Sequence, residues 1–259
     1  MLYINVAEKA AREAGEVLRA NLGKVKEITF KGKNSLVTEV DKLSEDIIID
    51  SIKRSFPSHD VFAEESGRRS TSSEYVWIID PLDGTTNYAH GYPFFSISIA
   101  LEIEGAVKAG LVYDPVKDEM FSAELGQGAF MNGETICVSR SDKLDESHLV
   151  TGFVHDDARI VEENLRHFGD FIWRARAVRR DGSAALDLCY VACGRFDGFW
   201  ELGLNPWDTA AGALIVEEAG GRVTNFTGDE YSIYVKEILA SNNGIHSEMI
   251  DVLSMNRSG

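Results

Sequence analysis

Between Trp77 and Thr86 the chain reads Trp-Ile-Ile-Asp-Pro-Leu-Asp-Gly-Thr-Thr, an apolar strand running into two aspartates and then a glycine-threonine turn. A strand end fixes Asp80 and Asp83 in space, and Pro81 stiffens the link between them by locking its own φ. Gly84 lets the backbone approach an anion, so that the amides of Gly84, Thr85 and Thr86 face phosphate oxygens from the start of a following helix. Two carboxylates repel a phosphate unless divalent cations lie between them. The residue types therefore point to Mg²⁺-dependent phosphate chemistry.

Further carboxylates fall at the ends of elements. Glu64 and Glu65 close a short apolar strand over 61–63. Asp208 lies in the first turn of a helix that Asn205 caps and Pro206 opens. An aspartate there also complements the helix dipole, so position alone does not assign it a function. The coincidence of Glu64, Glu65, Asp80, Asp83 and Asp208 at element ends, where sites assemble, selects these five from the solvated majority. Other residues carry weaker signals. His90 stands alone before Gly91, and Asp181 reads as a turn residue or a tuner of substrate choice. Arg179 and Arg180 suit either an ion pair at an interface or the mouth of a pocket. Gly126-Gln127-Gly128 lacks the third glycine of a nucleotide cradle and reads as a sheet turn.

Elements must deliver these groups. Apolar residues recur at helical spacing over 5–22, and a second helix follows over 42–55 before Pro57. Strands are predicted at 61–63 and 76–79, with 66–74 a polar surface loop between them. A hairpin over 95–103 and 106–113 turns at Glu104-Gly105, and strands at 120–124 and 128–131 lead to a turn at Asn132-Gly133. From about residue 141 strands alternate with helices, with helices predicted at 158–168, 183–193, 206–219 and 247–255. Strands are predicted at 176–179, 196–200, 222–224 and 238–241. This pattern divides the chain into an N-terminal α+β half, 1–140, carrying most of the candidate ligands, and a C-terminal α/β half, 141–259, carrying Asp208.

Composition sets the outer limits. With 259 residues and 44% apolar content the chain has ample material for a core, and no stretch approaches the ~18 apolar residues of a membrane span. A net charge of −16 disfavours nucleic-acid backbones and anionic membranes as partners while favouring cations. The N-terminus mixes acid and base in a helical pattern without an export signal, so a cytoplasmic location is expected. Cys137, Cys189 and Cys193 form no Cys-x-x-Cys pair and read as core packing.

Five stretches taken in order resemble the inositol monophosphatase family within the lithium-sensitive, Mg²⁺-dependent sugar phosphatases. They are Leu36-Val37-Thr38-Glu39-Val40-Asp41, Ala63-Glu64-Glu65-Ser66-Gly67, the 80–86 signature, Gly182-Ser183-Ala184-Ala185, and Pro206-Trp207-Asp208 with Glu218-Ala219-Gly220-Gly221 behind it. The resemblance implies an α/β (α+β) layered αβαβα sandwich in which mixed sheets alternate with helix pairs and the site lies between the halves. It implies Glu64, Asp80 and the Leu82 carbonyl as ligands of a first Mg²⁺, Asp80, Asp83 and Asp208 as ligands of a second, and Glu64 beside a weaker third ion. Mn²⁺ is an alternative cation and Li⁺ an inhibitor. Thr85 paired with Asp41 would orient and deprotonate the attacking water, with Glu65 nearby. The polyol and its phosphate would meet Asp83, Gly84, Thr85, Gly182, Ser183, Ala184, Glu201 and Asp208. Lys31 falls in the loop that closes over the metals in relatives, and a homodimer is implied as well.

The implied reaction is hydrolysis of inositol 1-phosphate or a similar small polyol phosphate, with fructose 1,6-bisphosphate as an alternative or additional substrate. Two other readings stay open. One is a phosphatase with a covalent aspartyl intermediate, although those carry one residue between the aspartates where this chain has Pro81 and Leu82. The other is a non-catalytic protein that binds metal or phosphate and serves interactions.

Overall fold

The computed structural model describes residues 2–24, 29–30, 36–37, 39–69, 73–155 and 157–255. Lys31 and Thr38 lie outside them. Helix α1 (Leu2–Asn21) is followed by the small hairpin of β1 (Thr29–Phe30) and β2 (Leu36–Val37) and by α2 (Glu39–Ser55). An eight-stranded sheet then forms from β3 (Asp60–Ala63), β4 (Gly67–Arg69), β5 (Tyr75–Asp83), β6 (Ser96–Ile103), β7 (Ala106–Asp114), β8 (Glu119–Glu124), β9 (Ala129–Met131) and β10 (Glu134–Thr135). Its order is β10-β9-β8-β7-β6-β5-β3-β4, and the short helix α3 (Thr85–Ala89) leaves the end of β5. The second sheet has five strands, β11 (His148–Thr151), β12 (Ala177–Arg179), β13 (Gly198–Leu202), β14 (Arg222–Thr224) and β15 (Glu237–Ser241), in the order β12-β11-β13-β15-β14. Helices α4 (Ala158–Ile172), α5 (Ala184–Ala192), α6 (Pro206–Glu218) and α7 (His246–Ser254) complete the chain.

Both sheets are mixed. In the first, β3 and β5 run parallel and the remaining pairs antiparallel. In the second, β11 runs parallel to β12 and β13, while β15 is antiparallel to β13 and β14. Alternation along the strands assigns the layers, because successive side chains leave opposite faces. Trp77 and Ile79 pack with α1 and α2, whereas Val76 and Ile78 pack with α5 and α6. In the second sheet Val150, Phe199 and Ala240 join that same α5–α6 core, whereas Leu149, Trp200 and Leu239 face α4 and α7. The result is five layers, αβαβα, as the resemblance implied. Helices α5 and α6 form the middle layer, which explains why α5 is buried along its whole length.

Several boundaries depart from the sequence expectation. The stretch 66–74 is not all loop, since Gly67–Arg69 adds β4 at the sheet edge, antiparallel to β3. Strand β11, unassigned from sequence, is a four-residue run buried between two neighbours, too short for a period to show. Strand β5 does not stop before Asp80 but continues through Pro81 to Asp83. Among the described residues no helix is long and apolar enough to cross a membrane.

Candidate active site

On a regular strand, residues three apart point to opposite faces, so Asp80 and Asp83 ought to diverge. The pairing with β6 shows how they are reconciled: Asp80 lies opposite Ser98 and Asp83 opposite Ser96, so β5 carries one extra residue across this step. Such a bulge restores both aspartates to the face turned toward α5 and α6, while Leu82 is buried on the α1–α2 side. Pro81 has no N–H to lose there, and its carbonyl accepts a 2.8 Å hydrogen bond from Ser44 of α2.

Each of three carboxylates is held through one oxygen by a main-chain N–H. Asp80 Oδ1 accepts from Leu82 N at 3.0 Å. Asp83 Oδ2 accepts from Ala185 N at 2.8 Å and from Ser183 Oγ at 2.6 Å, at the N-terminus of α5. Asp208 Oδ2 accepts from Asn205 N at 2.7 Å across the first turn of α6. One oxygen of each is thereby oriented and the other remains for a ligand, as expected of groups that hold a hard cation.

Glu64, Asp83, Gly84, Thr85, Gly182, Ser183, Ala184, Glu201 and Asp208 all line one cavity of about 250 Å³. Asp80 is 2% exposed and is not among the lining residues, but the charges of three of them, Glu64, Asp83 and Asp208, reach it. Its carboxyl is pushed well above the ordinary range by burial and then by the charges of Glu64, Asp83 and Asp208. Burial also raises Asp208 well above its usual value, and it raises Asp83 to about 6 against the lowering effect of its hydrogen bonds to Ser183 and α5 amides. Four mutually repelling acids around one cavity form an unstable arrangement without a counter-charge. Among the described residues, no three acidic, histidine or cysteine side chains close into a ready-made cage. The all-oxygen donor set fits Mg²⁺, which keeps several waters and uses substrate oxygens to complete its shell.

Thr85 opens α3 after Gly84, whose φ is 94° and where an added Cβ would crowd the Phe94 and Gly182 carbonyls at 3.1 Å and 3.2 Å. Its Oγ1 donates between the Leu82 carbonyl at 3.0 Å and Asp41 Oδ1 at 3.2 Å. Asp41 is buried in the first turn of α2, which begins three residues earlier than expected. Glu65 does not line the cavity, and its main-chain N–H is held by Glu45 Oε2 at 2.9 Å. Glu201 is 5% exposed, its carboxyl raised by burial and by Asp208 and Asp83. It lies so close to Gly152 that an added Cβ would meet its carboxylate at 2.2–2.5 Å. Gly152→Ala is therefore expected to displace Glu201 and raise KM for a polyol phosphate several-fold with a smaller change in kcat, read from steady-state kinetics.

The weaker signals resolve as follows. Arg180 lines the cavity mouth, while Arg179 donates to the neighbouring Val178 carbonyl. His90 is an exposed cap of α3. The Gly126 and Gly128 amides are both taken by the Glu218 carboxylate at 2.7 Å, so they bind no nucleotide. Cys189 is core, Cys193 is half-buried, and Cys137 is exposed instead of packed. Sequence reasoning missed Ser44, Glu45, Asn87, Gly152 and Asp187. Asn87 lines the cavity and ties α3 to the far half by donating to the Asp181 carbonyl at 2.8 Å. A single acid inside the apolar run Ala-Ala-Leu-Asp-Leu-Cys-Tyr-Val-Ala was the signal for Asp187.

Residues 2–255 match the Inositol monophosphatase family. The chain belongs to that family. It is 44% identical over 254 residues to the inositol-1-monophosphatase of Synechocystis sp., covering 97% of this chain and 88% of that protein. It is 43% identical over 250 residues to the Nus factor SuhB of Escherichia coli K12, covering 95% and 94%. The crystal structure of the extragenic suppressor protein suhB from Bartonella henselae superposes with a TM-score of 0.95 at 39% identity, over 99% of this chain and 100% of the other. Family membership and the two-sheet sandwich thus agree, while relatives of equal closeness carry two different functional names.

Proposed function

We propose that this chain is a Mg²⁺-dependent phosphomonoesterase acting on inositol 1-phosphate or a similar small polyol phosphate. The observation that supports it most is the convergence of Glu64, Asp83 and Asp208, from three separate segments, on one cavity, with their charges reaching Asp80. In this reading the N-terminal half, 1–140, supplies Glu64, Asp80, Asp83 and Thr85, and the C-terminal half, 141–259, supplies Asp208 and the polyol contacts. Glu64, Asp80 and the Leu82 carbonyl would hold one ion, Asp80, Asp83 and Asp208 a second, and Glu64 a weaker third. Bound there, Mg²⁺ (or Mn²⁺) supplies Lewis-acid charge that offsets the phosphate, promotes ionisation of water and stabilises the departing alkoxide.

The chain's own groups do the rest. When its single proton turns from the Leu82 carbonyl to Asp41, the Thr85 oxygen is left to accept a proton from an attacking water, and Asp41 receives one through that hydroxyl. Glu65 would support this pair. The amides of Gly84 and Thr85 at the start of α3 suit phosphate oxygens, and Gly182, Ser183, Ala184 and Glu201 face the polyol. Glu201, an acceptor when ionised, suits hydroxyl recognition. Thr85→Ala is expected to lower kcat by roughly 10²-fold or more while KM changes little, measured by phosphate release under saturating Mg²⁺. Family membership further supports a homodimer, inhibition by Li⁺ and a cytoplasmic setting.

Ranking phosphate esters by kcat/KM with Mg²⁺ present tests the reading. Inositol 1-phosphate is expected above fructose 1,6-bisphosphate, and equal values would mean a dual-activity enzyme. A trapped aspartyl phosphate at Asp80 would replace direct water attack by covalent catalysis. The 43% identity to the E. coli Nus factor SuhB supports a second reading, a protein whose role lies in interactions. Purified protein that releases phosphate from none of these esters would leave that reading in possession.

A further inference from the structure

Helix α2 turns two kinds of surface inward. Its later turns bury Ile48, Ile49 and Ile52 in the core against β5, but its first two turns bury Asp41, Ser44 and Glu45, which are 1%, 0% and 3% exposed. Spacings of three and four place these polar residues on one stripe of the helix. Groups of that kind are costly inside a protein unless each is bonded. Asp41 accepts from the Thr85 hydroxyl at 3.2 Å, Ser44 donates to the Pro81 carbonyl at 2.8 Å, and Glu45 Oε2 accepts from Glu65 N at 2.9 Å. The partners belong to α3, β5 and the turn between β3 and β4, and each lies within two residues of a candidate ion ligand.

Asp80 and Asp83 stand on β5 and Asp208 on α6, whereas Glu64 lies in the turn 64–66 that joins β3 to the edge strand β4. Ala63 pairs with Ile79 on the parallel strand β5, so Glu64 and Asp80 follow as neighbours. A side chain on a turn points where the peptides on either side of its Cα direct it. The peptide before Glu64 is fixed by its own N–H, which donates to the Ile79 carbonyl at 3.1 Å. The peptide after it is tied to α2 through Glu45.

We propose that Glu45 is a positioning residue for Glu64: by holding the Glu65 amide from α2, it directs the candidate ligand that stands on neither strand nor helix and so sets affinity for the first ion. Ser44 acts in the same way on the peptide that joins Pro81 to Leu82. The inference rests on the ion-binding part of the phosphomonoesterase reading, not on its choice of substrate. Partners behind metal ligands orient them, and losing one weakens metal binding by roughly 10–100-fold. In Glu45 the acceptor oxygen acts rather than the charge, because its partner is a neutral amide.

The test follows Mn²⁺ binding through loss of the free-ion electron paramagnetic resonance signal, which needs no substrate, in wild type, Glu45→Ala, Glu45→Gln and Glu45→Asp. Glu45→Ala is expected to weaken binding at one site roughly tenfold. Glu45→Gln, which keeps an acceptor at the same reach, is expected to stay within about twofold of wild type, while Glu45→Asp, which keeps the charge but is one methylene short, follows Glu45→Ala. On inositol 1-phosphate the Mg²⁺ concentration for half-maximal rate is expected to shift in the same order, with KM at saturating Mg²⁺ within about twofold. Unchanged Mn²⁺ binding in Glu45→Ala with a lowered melting temperature in EDTA would overturn the proposal and leave Glu45 a tie between α2 and the sheet. Equal losses in Glu45→Gln and Glu45→Ala would overturn it in favour of charge. Should Glu45→Ala not fold, Glu45→Gln against Glu45→Asp decides on the same terms. Wild type that binds Mn²⁺ but cleaves no ester would remove the phosphomonoesterase reading, with the Mn²⁺ comparison still deciding this inference. Active wild type with unshifted binding in the variants would remove the inference alone, and wild type that binds no Mn²⁺ would remove both.

Discussion

Asp83→Asn is expected to lower phosphate release from inositol 1-phosphate by roughly 10³-fold or more, because under the proposed function it removes one charge from a group that would contact both ion and substrate. The side chain is unusually constrained for so small a change. Ser183 and Ala185 both donate to Oδ2, and the replacement amide must turn its oxygen toward them to keep α5 in place. With that orientation its nitrogen points where an ion would sit, so the variant presents a donor instead of an acceptor. Near-UV circular dichroism and melting are expected to match or exceed wild type, since the substitution removes a carboxyl group that burial disfavours. Activity within tenfold of wild type would mean that Asp83 does not contribute a ligand. Collapse of the fold would mean that its role is to hold α5.

The second large effect is on stability and its dependence on pH and Mg²⁺. Asp83 is raised from 3.8 to about 6, and Asp80, Asp208, Glu201 and Asp187 are all raised in the same direction, each first by burial. A carboxyl group with a raised folded-state pKa retains its proton longer in the native protein than in the unfolded chain. Its stabilising effect is therefore present at low pH, is lost as pH rises from the unfolded value, and is gone above the folded one. For Asp83 that window runs from 3.8 to about 6 and amounts to at most about 3 kcal/mol, reduced because the residue is only half-buried. The metal-free melting temperature is thus expected to fall as pH is raised from about 4 to about 7. Mg²⁺ is expected to restore it, and to do so more strongly at pH 7 than at pH 5, because protonated carboxyls do not bind the ion. Calorimetry across that range with EDTA or with millimolar Mg²⁺ reads both effects. Melting that rises with pH in EDTA, or a Mg²⁺ effect that is larger at pH 5, would contradict this picture.

Much of the site was legible because its parts are local. The 80–86 stretch and the Asn205 to Asp208 turn each encode their own geometry: a proline where no N–H is needed, a glycine where φ is positive, an aspartate where a helix begins. The layered fold was less a matter of local pattern than of the family resemblance, yet the alternation of Trp77 with Ile78 and of Phe199 with Trp200 carries it in physical terms. What escaped reading depends on distance along the chain. The bulge in β5 exists only by reference to Ser96 and Ser98 on β6. Gly152 matters only because Glu201 arrives beside it from a neighbouring strand. Asp187 looked like one acid in a buried helix, and its want of a partner shows only once the walls around it are known. Strand β11 was missed for a related reason, since four apolar or neutral residues acquire a strand's identity from the partners on either side.

The most direct test is a crystal of this protein grown with Mn²⁺ in place of Mg²⁺ and measured for anomalous scattering. The expected result is at least two peaks in the cavity, one bridging Glu64, Asp80 and the Leu82 carbonyl and one bridging Asp80, Asp83 and Asp208, with the second absent in Asp83→Asn. Density free of any peak among these carboxylates at saturating Mn²⁺, or peaks confined to other parts of the surface, would contradict the account.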